Sequence, residues 1–167
     1  MYKTRFLRTD NRKCQISINN TNLKPNHTCI MRHGVEINRL QSFIACIADI
    51  FVEYKKDSNI PSIKEMKNII ISSINLDKFL TYQNGSLFTL FYKKDTSIDK
   101  DIDKDIDIEK YKSTIVYKKI DFDDEEQYNF LKKAIISYDN FINYLESDDE
   151  IIDYTYLWDI ICLPNPD

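Results

Sequence analysis

The chain has 167 residues, 43% of them apolar and 30% charged, with a net charge of −4. That length sets the expectation of one domain with enough apolar volume for a core. The charge density, with apolar runs as short as Ile69-Ile70-Ile71, argues against a membrane protein, because a spanning helix needs about 20 apolar residues.

The charge is unevenly spread. Residues 1–40 hold eight Lys/Arg against two acidic residues, and the remainder is strongly acidic. The basic cluster Arg5, Arg8, Arg12, Lys13, Lys24 and Arg32 is a candidate nucleic-acid contact. Its residues are not interleaved with aromatics as base-stacking sites require, so a solvated, irregular segment is the preferred reading. The opening MYKTRFLRTDNRKC lacks the apolar stretch of a secretory signal. The four cysteines are therefore expected as reduced thiols.

In chain order, residues 1–37 read as an irregular basic segment and 38–167 as a helical globular domain. CQISINN (14–20) alternates apolar and polar, as a short strand does. Residues 38–55 form the first helix, with Leu40, Phe43, Ile44, Ile47, Ala48 and Phe51 on one stripe. Residues 62–75 form the second, opened by a Ser62–Glu65 capping box. Helical spacing to about residue 82 gives way at Asn84-Gly85, which suits a helix stop or a hairpin turn. A short helix or strand follows.

The repeat DTSIDKDIDKDIDIEK (95–110) has little volume to pack and reads as a solvated acidic loop. It lacks the glycine and terminal glutamate of a calcium loop. KSTIVYKKID (112–121) reads as a short strand. Residues 123–146 make the strongest helix, with an acidic start suited to the helix dipole and an apolar face from Phe130 to Leu145. A last helix covers 152–162, with Tyr154, Leu157, Trp158 and Ile161 expected inward. The chain ends where a strand is expected to follow, which suggests a fragment of something longer. The fold class is α+β and mainly helical: three or four packed helices with a few short strands.

Three constellations could carry chemistry. Cys14, His27, Cys29 and His33 are zinc-type donors, but their spacing lacks the paired-cysteine knuckle, so no metal or cofactor is expected. Cys46 lies two turns into its helix, away from the N-terminus that would activate a thiolate, and is expected in the core. Ser42 opens that helix. The stretch RLQSFIACIAD resembles the start of the central helix in ovarian-tumour-type papain-like cysteine proteases, with Ser42 where the nucleophilic cysteine stands. Phe43 follows, and Ala45 and Ala48 are small packing positions. The resemblance implies a truncated papain-like fold with Ser42 as a vestigial nucleophile. Such an enzyme also needs a histidine on a later strand, and none follows His33. A serine without a base is a poor nucleophile, so the resemblance implies an inactive relative or a hydrolase completed downstream. A plain core helix explains the same residues and is preferred.

The stretch from CQISINN to FIACIAD, with PSIKEMK, LDKFLTYQNGSL and DYTYLWDIICLPNPD, resembles a block in long proteins of nucleocytoplasmic large DNA viruses, the giant viruses. The nearest family is the large subunit of the viral early transcription factor. The resemblance implies a non-catalytic module of a large viral protein, acting in transcription or virion assembly in the viral factory of the host cytoplasm or in the virion. Its partner would be the downstream part of the same chain or another viral protein. Nucleic acid is the second partner class, through the basic segment.

Overall fold

The long helix at residues 125–146 organises the structure, a computed structural model that describes residues 34–55, 59–93 and 106–162. In chain order the helices are α1 (Ser42–Lys55), α2 (Ile63–Ser72), α3 (Leu76–Thr81), α4 (Ser86–Lys93), α5 (Ile115–Lys119), α6 (Glu125–Glu146) and α7 (Tyr154–Cys162). A left-handed turn, Tyr82–Gly85, joins α3 to α4, and a 3-10 turn, Ile108–Tyr111, precedes α5. Among the described residues there is no strand. The expected strand at 14–20 lies outside them.

Each main helix starts where a side chain satisfies its free amides. At α1 the Asn38 carboxamide oxygen accepts from the amides of Leu40 and Gln41 at 2.8 and 2.9 Å. Residues 39–41 thus form a turn and the helix begins at Ser42, four residues later than its apolar spacing suggests. The expected capping box opens α2: Ser62 accepts from the Glu65 amide, and Glu65 accepts from the Ser62 amide. Asp124 accepts from Glu126 and Gln127 to open α6. Such a cap contributes about 1 kcal/mol.

The segment 112–121 corrects the sequence reading, because it holds a helix and not a strand. Ile115-Val116 is β-branched and favours a strand. Thr114 caps the turn, and the Asp77 carboxylate of α3 accepts from the Ile115 and Val116 amides at 2.8 and 2.9 Å. An anion on the first amides outweighs a modest propensity. The end of the acidic repeat is also less solvated than its composition suggests. Ile106 and Ile108 pack against the core and Tyr111 is buried, its hydroxyl donating to Asp139 at 2.6 Å.

α6 packs against α2, α3 and α4, and α1 packs on α2. The centre is aromatic. Phe141 of α6 lies 5.3 Å from Phe79 of α3 and 4.9 Å from Phe91 of α4. All three are fully buried, and such pairs add about 1 kcal/mol beyond area burial. The polar atoms of this core are bonded: the Ser137 hydroxyl donates to the Phe88 carbonyl at 2.7 Å.

A buried ammonium closes the end of α6. Lys67 sits on the apolar face of α2 and is 4% exposed. Its Nζ donates to the carbonyls of Glu146 and Ser147 at 3.1 and 2.9 Å, to Gln41 Oε1 at 3.3 Å and to Asp148 at 2.8 Å. Gln41, equally buried, donates to the Ser147 and Glu150 carbonyls at 2.7 and 3.1 Å. Three chain segments therefore meet at carbonyls that α6 cannot satisfy itself.

Two outcomes test this closure. Lys67→Met keeps the volume and strands the carbonyls, so it should cost about 2–3 kcal/mol in urea unfolding. The lysine's hydrogen bond and charge hold the Asp148 carboxyl below the usual carboxylate range. A carboxyl depressed in the folded state stabilises the protein above its unfolded pKa, and that stability is lost as pH falls through the folded value. Urea midpoints followed from neutral to acid pH should therefore fall less steeply in Asp148→Asn than in the wild type. Separately, Asp77→Ala should speed hydrogen exchange at the Ile115 and Val116 amides by about fivefold, for a lost cap of about 1 kcal/mol.

Candidate interaction surface

The expected site residues fall in different places. Arg5, Arg8, Arg12, Lys13, Lys24 and Arg32, and the donor set Cys14, His27, Cys29 and His33, lie outside the described residues. Ser42 is the first residue of α1. Its hydroxyl donates to the Asn38 carbonyl and accepts from the Asn38 amide, so it is half-buried in a local backbone loop. Cys46 was expected in the core and is exposed. It lies beside the buried stripe Ile44, Ala45, Ile47 and Ala48, on the other side of the helix. Among the described residues no cluster of three or more His, Cys, Asp or Glu could hold a metal.

α7 shows the largest departure from the sequence reading. Of the four residues expected inward, only Leu157 is buried. Tyr154 is 56% exposed, Trp158 59% and Ile161 41%. The helix is apolar almost all round, YTYLWDIIC, so its periodicity fits more than one inner face. Tertiary contacts select the face. Tyr156 lies 5.4 Å from Phe91 and 5.8 Å from Tyr144, and Ile160 packs against the core. The Tyr144 hydroxyl donates to the Ile151 carbonyl and accepts from the Asp153 amide, both at 2.7 Å. That clamp sets the rotation with which α7 starts. Tyr154 and Trp158 then point outward.

A second tie comes from the left-handed turn. Gln83 and Asn84 have φ of 49° and 55°, and Gly85 has φ of 83°. Two successive non-glycine residues in this region cost about 1–2 kcal/mol each, less for asparagine. The Gln83 amide donates to the Asp159 carboxylate, and its side-chain nitrogen donates to the Thr155 carbonyl. The strained turn thus holds α7 by two bonds. Gln83, Tyr154, Thr155 and Trp158 line an open cleft at this junction. Burial, and then the Asp159 charge, push the Tyr82 hydroxyl above its ordinary pKa.

The exposed side of α7 continues onto α1. Phe43, 39% exposed, lies 5.8 Å from Tyr154. One and two turns further along α1 lie Cys46 and Ile50, both exposed. Residues three and seven apart share a helix side, so two neighbouring helices present one apolar surface. Ile151, 68% exposed, stands in the loop that enters α7.

Compared with family models, with curated proteins and with solved structures, the chain matches none.

Sequence reasoning missed Gln41, Lys67 and Gln83. A signal existed for Lys67: it falls among Ile63, Met66 and Ile70 on the α2 stripe, where a lysine is out of pattern. Nothing local marks Gln41 or Gln83, whose partners are more than 70 residues away. At the turn, Gly85→Ala should cost about 1–2 kcal/mol in urea unfolding, because φ there is unfavourable to any Cβ. Asn84→Gly should be neutral or slightly stabilising in the same measurement.

Proposed function

We propose that this helical unit is a non-catalytic interaction module that docks a partner protein on the α1–α7 surface. The single observation that carries this reading is the exposure of Trp158 and Tyr154 on α7, with the Tyr154 ring beside exposed Phe43 of α1. Tryptophan and tyrosine dominate binding hot spots, and contiguous exposed apolar surface marks interaction sites. The helices beneath are tied by Tyr144, Gln83 and Lys67, so the surface is pre-formed and ordering it on binding costs little. No described helix is long and apolar enough to cross a membrane. The resemblance to a block in long giant-virus proteins suggests the setting: contacts within a large viral assembly, in transcription or virion formation, with another viral protein or a further part of the same chain.

The hydrolase reading is less well supported. The Ser42 hydroxyl is engaged with Asn38, and a nucleophile needs a base in that position.

The experiment is proximity labelling in cells that make the full chain, wild type against Tyr154→Ser/Trp158→Ser. Both positions are exposed, so the double variant should unfold in urea within about 0.5 kcal/mol per site of the wild type, while a defined set of partners disappears. An unchanged labelling pattern from a folded variant overturns the reading.

A further inference from the structure

The docking surface has a charge as well as an apolar face. From Ser147 to Cys162 the chain reads SDDEIIDYTYLWDIIC, with five acidic residues and no Lys, Arg or His. Asp149, Glu150 and Asp153 are exposed, and they bracket exposed Ile151 immediately before Tyr154 and Trp158. The Thr155 amide and hydroxyl bond to Asp153 and hold its carboxyl below the ordinary range. Asp159 follows Trp158 and accepts from the Gln83 amide.

Lys67 is buried and bonded to Asp148, and Lys64 of α2 also acts on Asp148. Apolar anchors rimmed by one sign of charge select a partner by complementary charge and repel partners of the same sign.

We infer that the partner on the α1–α7 surface is a basic amphipathic segment, with apolar side chains for the Tyr154–Trp158–Phe43 face and Lys or Arg over Asp149, Glu150 and Asp153. This rests on the docking reading above and adds the chemistry of the partner. Negative residues beside the aromatics also argue against a nucleic-acid backbone at this site.

Trp158 is the only tryptophan of the chain, so its emission reports on this surface directly. The full chain is titrated with two synthetic amphipathic helices that share a leucine face, one with lysine and one with glutamate on the polar face. The lysine peptide should shift Trp158 emission to the blue with saturation, and added salt should weaken it. The glutamate peptide should bind about tenfold or more weakly. Asp149→Lys/Glu150→Lys should weaken the lysine peptide by about the same factor. Phe43→Ser/Tyr154→Ser, which leaves Trp158 in place, should abolish the shift.

Equal binding of both peptides overturns the basic-partner inference and leaves docking on this surface standing. A shift that survives Phe43→Ser/Tyr154→Ser places the peptide elsewhere and overturns the inference too. Blue emission from the free chain, with a dimer in sedimentation, assigns the surface to a second copy and overturns it. Failure of both peptides overturns the inference alone, whereas failure of the labelling experiment removes the docking reading beneath it.

Discussion

The arrangement depends on one buried charge meeting the open end of one helix. α6 ends at Glu146, and its last carbonyls need donors. Lys67 supplies them from α2, while Gln41, just before α1, donates to the loop that follows α6. An ammonium carried into an apolar stripe is costly unless fully bonded, and here four oxygens receive it. Asp148, largely in solvent, balances the charge at the rim. The same contacts hold α1 and α2 at the foot of α6 and set where the chain departs toward α7.

Once that end is closed, the aromatic core sets the rest. Phe141 stands between Phe79 and Phe91, and Tyr144, one turn on, packs against Phe91 at 5.3 Å while its hydroxyl clamps the start of α7. A residue with a buried ring and a bonded hydroxyl links packing to direction. The result is an α7 that buries Leu157, packs half-buried Tyr156 on the core and leaves Tyr154 and Trp158 in solvent. The outward aromatics follow from the clamp, because the helix itself has apolar residues on nearly every side.

The left-handed turn adds a long-range tie. Its strain is offset by two bonds from Gln83 to α7, so the turn and α7 stabilise one another. Strained backbone held by its surroundings is a recurring feature of functional surfaces. Here it sits at the edge of the aromatic cleft, beside the acidic stretch that gives the surface its sign.

Local chemistry by itself determined most helices of the domain. The Ser62–Glu65 box, the acidic start of α6, the stop at Asn84-Gly85 and the 3.6-residue stripes are interactions between residues a turn apart, and each can be read from neighbours. The helical character of 112–121 could not be read that way, because its cap, Asp77, comes from another helix. Nor could the facing of α7: an almost uniformly apolar helix carries no preferred inner side, and only Tyr144, Phe91 and Gln83 choose one. Cys46 misled for a related reason, since it borders a narrow buried stripe and lies on the exposed side of α1. The candidate surface was therefore present in the sequence as residue types, Tyr154, Trp158 and the acids around them. Its exposure was decided by contacts between segments far apart in the chain.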